Sequence, residues 1–376
     1  MLCAATNHDE FPVNEQKYWL GFSLVPEIGP KRLAHLLQWF GNLSAAWFAS
    51  ESQLRQSGLD KQPLTNLLRL RRQINLDEQI DKVAQQGAWL LTLADAAYPG
   101  LLKEMPDAPV VLYIKGSILP GDDLSLGIVG TRKATTYGRE AAYDLAKNLA
   151  ASGITVVSGL AHGIDSAAHR GTLDGQGRTF AILGCGINQI YPRDNSDLAQ
   201  AICARGALIS EFAIGTPPEA RNFPRRNRVI SGLSLGILVV EAPEASGALI
   251  TANLAAEQGR EVFAVPGNIY SPGSRGANRL IQDGAKLVTR VEDILAELNV
   301  AHNSIQAKVT TERISPANDI EAQLMQQLSA DPLHVDELAR RCHLPVATVT
   351  STLTILELKG LAQSVGPMQY SLIYRT

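Results

Sequence analysis

Gly127-Ile128-Val129-Gly130-Thr131-Arg132, then Tyr137-Gly138-Arg139 and a helix-like segment, then Ser158-Gly159-Leu160-Ala161-His162-Gly163-Ile164-Asp165: this stretch organises the chain. An apolar run closing in Gly-Thr-Arg, an amphipathic segment to Ser152 and a second apolar run over 154–157 make a βαβ unit with a glycine-rich polar loop after each strand. Both loops open on one edge of a parallel sheet. There, glycines let backbone N–H groups approach an anion and helix N-termini add partial positive charge, while Arg132 and Lys133 supply full charges. A single loop of this kind is an ordinary strand-to-helix turn. Two in succession, clustering Arg132, Ser158, His162 and Asp165 among Gly159 and Gly163, point to a phosphate-binding site.

The same alternation continues on both sides. Downstream strands are read at 180–183, ending in Gly184-Cys185-Gly186, and at 207–211, 236–241 and 261–265, the last closed by Pro266-Gly267. Helical segments at 196–204 and 247–258 separate them. Upstream, the runs 89–93 and 109–114, with Tyr98-Pro99-Gly100 between, read as extra strands ahead of the central unit. Near-continuous Val/Ile/Leu runs mean strands buried on both faces. Residues 85–300 therefore form one α/β domain, an extended Rossmann-like, doubly wound parallel sheet.

With 376 residues, two or three domains are expected. A net charge of −3 excludes a globally basic nucleic-acid binder but leaves room for a local basic groove. Cys3, Cys185, Cys203 and Cys342 show no C-x-x-C spacing, so neither a metal site nor a disulfide framework is expected, which suits a reducing cytoplasm. Asp9 and Glu10 stand where a signal peptide would be basic, and no apolar run reaches membrane-spanning length.

Within the α/β domain, Pro217-Pro-Glu-Ala-Arg221-Asn-Phe223-Pro-Arg225-Arg226-Asn227-Arg228 places four arginines within eight residues around one aromatic. Pro224 suits a first helical turn. Phe223 at the sheet's functional edge is placed for base stacking beside a phosphate-binding strip. The alternative is structural, with arginines pairing Glu211, Glu219 or Glu241. A third stretch, Glu241-Ala-Pro-Glu-Ala-Ser246-Gly247-Ala248, either completes the pocket or simply lets Ser246 cap a helix.

Before this domain, residues 17–75 read as helical, with Leu20, Phe22, Leu24, Leu33, Leu36, Leu37, Trp39 and Phe40 on the apolar face. Val25-Pro-Glu-Ile-Gly29-Pro30-Lys31-Arg32 is either the hairpin of a helix-hairpin-helix element or a plain helix-to-helix turn. After it, 299–318 is polar and aperiodic and reads as a linker. Helical segments near 320–328, 335–342 and 345–359, then runs at 361–365 and 370–373, give a winged-helix order. Its third helix carries Thr348, Thr350, Ser351 and Thr352 but no Lys or Arg before Lys359. That favours a protein-contact or regulatory module over duplex binding.

Together, the Gly-Thr-Arg loop, Ser-Gly-x-Ala-x-Gly-Ile-Asp, Tyr191-Pro192, Ser210-Glu211, Asn-Phe-Pro-x-Arg-Asn-Arg, Ser246-Gly247-Ala248 and Ala264-Val265-Pro266-Gly267 resemble the DprA/Smf family, DNA-processing protein A. The resemblance covers essentially the whole chain and is densest over 95–290. It implies an N-terminal helical (helix-hairpin-helix or SAM-like) domain over 1–84, an extended Rossmann-like domain over 85–300 and a winged helix over 319–376. It implies a cytoplasmic, non-catalytic binder of single-stranded DNA that protects incoming strands in natural transformation and helps load RecA recombinase, with no cofactor. Carried over by motif, the DNA-contacting positions are Arg132, Lys133, Ser158, Gly159, Gly163, Arg221, Phe223, Arg225, Arg226 and Asn227. The family often has a basic residue where this chain has Ala220, and Arg221 is its nearest replacement. A homodimer is implied through Ile281 and Leu287, on a face the resemblance also associates with the RecA contact. The competing class is a phosphoribohydrolase-like nucleotide-processing enzyme. Such enzymes resemble one another in a Pro-Gly-Gly-x-Gly-Thr loop, where this chain has Ala245-Ser246-Gly247-Ala248.

Overall fold

The computed structural model describes residues 13–298, 319–328, 333–358, 362–366 and 368–372. The expected linker at 299–318, the acidic residues Asp9 and Glu10, Cys3 and Lys359 lie outside the described residues. By contacts the chain divides into Met1–Ala301 and His302–Thr376. Among the described residues, no helix is long and apolar enough to cross a membrane.

In the first unit, strands β1 (Trp89–Thr92), β2 (Val111–Gly116), β3 (Ser125–Val129), β4 (Thr155–Ser158), β5 (Thr179–Ile182), β6 (Ala207–Ser210), β7 (Gly236–Val239), β8 (Glu261–Ala264) and β9 (Lys286–Leu287) form one sheet. Their order is β1-β2-β6-β5-β4-β3-β7-β8-β9. From β6 across to β9 every neighbouring pair is parallel. The extra strands β1 and β2 join antiparallel at the β6 edge rather than beside the central unit. Strands β3 to β7 are buried along their whole length, as their unalternating Val/Ile/Leu content requires. Burying each such side chain contributes about 1.5–3 kcal/mol, and this apolar stack fixes the sheet.

After β3 the chain builds outward through β4, β5 and β6. It then returns to the other side of β3 with β7, β8 and β9. The switch in winding direction therefore lies between β3 and β7. Connections leaving these two strands diverge to opposite faces and open a crevice at their carboxyl ends, which is where open α/β sheets bind ligands.

The N-terminal helices, including Val13–Ser23, Pro30–Phe40, Lys61–Arg71 and Leu76–Gln85, share one apolar core with a face of this sheet. Leu20, Phe22, Leu33 and Leu36 are buried, and Leu24, Leu37 and Phe40 pack against them. Packing is therefore continuous across residue 84, where the sequence pattern changes from helix to strand. Trp39 departs from the expected apolar face and is exposed. At the hairpin, Gly29 precedes a helix with Pro30 in its first turn. Arg32 is used internally, donating to the Glu27 carbonyl at 2.8 Å and pairing with Asp60 at 2.7 Å. That engagement favours the plain turn over a phosphate-binding hairpin.

The second unit is a winged helix. Helices Asp319–Gln327, Val335–Cys342 and Val346–Leu358 enclose Leu324, Leu338, Val349, Leu353 and Leu356. The wing strands are Ala362–Gly366 and Gln369–Leu372, joined by a short third strand, Leu333–His334, that the sequence pattern did not announce.

Candidate nucleic-acid interface

The loop after β3 is pinned at both ends to the end of β7. The Thr131 N–H donates to the Glu241 carbonyl at 2.7 Å. The Thr135 N–H and hydroxyl donate to Glu241 Oε2 at 2.9 and 3.0 Å. Thr135 also caps the helix Thr136–Ala151, its Oγ1 accepting from the Gly138 N–H. Between the pins, Arg132 and Lys133 are exposed and form no salt bridge among the described residues, although Arg132 is near enough to Asp165 to pull its carboxyl downward. Backbone donors here are largely committed: the Lys133 N–H donates to Thr131 Oγ1 and the Ile164 N–H to the Thr131 carbonyl. Anion recognition at this loop therefore falls on the two side-chain cations rather than on a backbone cradle.

Phe223 belongs to the helix Asn222–Leu233, which has Pro224 in its first turn as expected. Its ring rests on Gly184, just after β5, and lies 5.8 Å from the ring of Tyr191 at a tilt of 41°. The Arg132 guanidinium stands 5.0 Å from the centre of the Phe223 ring, a cation–π contact between the loop after β3 and the first turn of this helix. An open cleft of 360 Å³ runs from Arg132 past Phe223, Pro224 and Asn227 to Ser246 and Gly247. A smaller slot of 60 Å³ lies among Arg132, His162, Tyr191 and Phe223.

Beneath the cleft, Arg226 is only 4% exposed and donates through Nη1 to the Ile182 carbonyl at 3.1 Å. Its charge faces the buried carboxyl of Asp165, whose Oδ2 accepts from the Ala161 N–H at 3.3 Å. Burial pushes the Asp165 carboxyl above its usual range, against the downward pull of Arg226. His169 is buried nearby with Nδ1 2.7 Å from Thr179 Oγ1. Burial, reinforced by Arg226, pushes its pKa down to about 3, so it is neutral. A Cβ on Gly159 would fall 1.5 Å from Arg226 Nη1, so this glycine makes room for the guanidinium. Gly163, at φ 78°, holds its Cα against the carbonyls of Thr131 and Arg132.

The expected contact residues thus separate into kinds. Arg132, Phe223 and Asn227 line the cleft, Lys133 is exposed beside Arg132 without lining it, and Asn227 also donates to the Gly247 carbonyl at 3.4 Å. Ser158 is corrected to a core position: it is fully buried and its hydroxyl donates to the Ile128 carbonyl at 2.6 Å. Arg226 is corrected from a surface cation to a buried one, and Gly159 lies under it, so both shape the floor. Arg221 is exposed and paired with Glu219 at 2.6 Å. Arg225 turns away from Phe223, its guanidinium 5.2 Å from the Phe212 ring and 3.7 Å from Glu211. Arg228 is structural, bound to Glu211 and to Asp107. Glu211 and Glu219 do pair with arginines, whereas Glu241 serves Thr135 instead. Ser246 caps its helix through the Ala248 N–H at 3.2 Å while lining the cleft, so both of its readings hold geometrically. Ile281 is half-buried in the helix Arg275–Gln282, and Leu287 is 43% exposed on the edge strand β9.

Tyr191 was visible in sequence only as part of a motif, and nothing there singled it out as an aromatic partner of Phe223. The Arg226–Asp165 pair was also missed, because burial of an arginine within a run of arginines leaves no signal in sequence.

The profile described as DNA recombination-mediator protein A matches residues 89–299, and one described as DprA winged helix domain matches 308–366. Protein Smf of Escherichia coli is 38% identical, over 85% of this chain and 88% of its own length. The X-ray structure of DNA processing protein A from Streptococcus pneumoniae superposes with a TM-score of 0.65 at 34% identity, covering 76% of this chain and 98% of that one. The DNA processing protein A of Helicobacter pylori, solved to show its single-stranded DNA binding mode, gives 0.51 at 29% identity over 56% and 96%. With the doubly wound sheet, its crevice and the winged helix matched in this way, the chain belongs to the DprA/Smf family of DNA recombination-mediator proteins.

Proposed function

We propose that this chain binds single-stranded DNA in the cleft between the ends of β3 and β7 and presents it for recombination. The observation that carries this reading is Arg132 standing over Phe223 beside an open cleft, with Lys133 next to it and neither cation in a salt bridge among the described residues. A cation and an aromatic face side by side match a nucleotide's phosphate and base, and stacking accepts any base. The single-strand binding shown for the Helicobacter pylori relative supports the same ligand.

In this reading Arg132 and Lys133 hold phosphates and Phe223, backed by Tyr191, stacks a base. The buried Arg226, compensated by Asp165, holds the floor of the cleft from below. The protein acts by binding rather than catalysis, in the cytoplasm, as a homodimer through the β9 edge. It protects incoming strands in natural transformation and hands them to RecA recombinase. The test is fluorescence anisotropy with labelled single- and double-stranded oligonucleotides at two salt concentrations, run beside an assay for free base from nucleoside monophosphates. Tight, salt-dependent single-strand binding without base release is expected. Base release without strand binding would instead establish the phosphoribohydrolase-like class.

A further inference from the structure

Tyr270 is the most exposed large apolar side chain among the described residues, at 85%, with Ile269 beside it at 72%. A single exposed aromatic is commonplace. The placement of this one is not. Residues 266–274 leave β8 at the same carboxyl edge as the Arg132 loop, and the two loops are tied together. Tyr137 donates its hydroxyl to the Pro266 carbonyl at 2.9 Å, and the Glu241 carboxylate that holds Thr135 also packs against Gly273. The loop is braced at its base, where Asn278 exchanges two hydrogen bonds of 3.0 Å with the Gly267 backbone. Its tip is turned by Asn268, whose Oδ1 accepts from the Tyr270 N–H at 2.9 Å. Tyr270 is thus displayed on a held turn.

Charge and distance agree. Arg275, at the start of the next helix, and Lys133 are exposed and unpaired to carboxylates among the described residues. The exposed Glu244, on the loop after β7 between them, opposes phosphate, so stacking rather than charge must dominate here. The seat of Phe223 lies at the end of β5, and Tyr270 follows β8, four strand spacings away in the order β5-β4-β3-β7-β8. At about 4.8 Å per spacing this is about 19 Å, a distance that a single strand crosses in several nucleotides, fewer when it is extended than when it is stacked at about 3.4 Å per step.

We infer that Tyr270, flanked by Ile269, is a second base-stacking platform that engages the same single strand several nucleotides beyond Phe223. This rests on the single-strand reading above. Labelled oligothymidylates of about two and about fifteen nucleotides separate the two platforms, because only the longer reaches both even when extended. Tyr270→Ala should weaken the long oligonucleotide by about fivefold or more and leave the short one unchanged, with Tyr270→Phe restoring wild-type binding. Phe223→Ala should weaken both. If Tyr270→Ala binds the long strand like wild type while Phe223→Ala does not, the second platform is overturned and the Phe223 groove stands. If wild-type protein binds neither strand, the single-strand reading fails and this inference with it. Should Tyr270→Ala instead change the oligomeric state in light scattering, the loop is a contact between copies and the inference is equally overturned.

Discussion

Arg132 and Phe223 meet at 5.0 Å although Arg132 lies on the loop after β3 and Phe223 in the first turn of the helix that follows β6. Neither could reach the other without two supports. Glu241 pins the Arg132 loop from the end of β7, and Gly184 offers the Phe223 ring a flat seat after β5. The contact is therefore a product of the sheet's switch in winding direction, and the same supports make it testable.

Glu241 is the first such support. Glu241→Ala removes the acceptor for the Thr135 N–H and hydroxyl and should cost about 1–3 kcal/mol of stability. Urea unfolding should show this as a lower midpoint at unchanged slope. Strand affinity should fall as well, because the loop loses one of its two anchors. An unchanged midpoint would mean the pins carry little energy.

The floor of the cleft gives a second expectation. Asp165→Asn removes the carboxylate facing the buried Arg226 and should lower the urea midpoint, since a less compensated charge remains inside. Gly159→Ala should be comparably severe, as the added methyl collides with the guanidinium. Either variant unfolding at the wild-type urea concentration would place Arg226 elsewhere.

His169 sets an acid dependence. Its folded pKa, pushed down to about 3, lies below the ordinary histidine value of 6.5, so the unfolded chain binds a proton that the folded chain refuses. Stability from this group is intact above about pH 6.5 and is lost as pH falls, by about 1.4 kcal/mol per unit. Asp165, raised by burial, works in the opposite sense, since the folded chain takes up its proton more readily than the unfolded chain as pH falls. The contribution of His169 is therefore read as the difference between variant and wild type, not from the wild-type decline alone, between about pH 6.5 and 5. His169→Gln should flatten the decline of urea stability over that interval, and an equally steep decline in the variant would assign it to other groups.

Assembly is addressed at the β9 edge, where the sheet ends with Leu287 exposed. An open edge strand bearing an apolar side chain invites pairing with a second copy. Leu287→Glu should give a folded monomer in light scattering. Ile281 is half-buried against the core, so it is better shortened to Ala than charged. A wild-type protein that is monomeric at working concentration removes the proposed dimer.

Much of this was legible from residues 127–165 and their echoes. Unalternating apolar runs between glycine-rich turns gave the parallel strands within one or two residues, because strands buried on both faces leave no other pattern. The antiparallel docking of β1 and β2 at the far edge was not legible, since pairing partners distant in sequence leave no periodic trace. In the site, exposure decided what residue type could not. Arg132 and Arg226 look alike in sequence, yet one lies open and the other is enclosed by Gly159, Ile182 and Asp165. Ser158 similarly reads as a loop hydroxyl, but it still belongs to β4 and bonds inward to β3.

The most direct measurement of the central claim is the salt dependence of single-strand affinity for Arg132→Ala beside Phe223→Ala. Losing one phosphate contact should weaken binding to all sequences alike and reduce the magnitude of the slope of log affinity against log salt by about 0.7. Losing the stacking face should cost about 1–3 kcal/mol with the slope nearly unchanged. If folded Arg132→Ala binds single strands as tightly as wild type with the same slope, the loop after β3 is structural and the strand lies elsewhere.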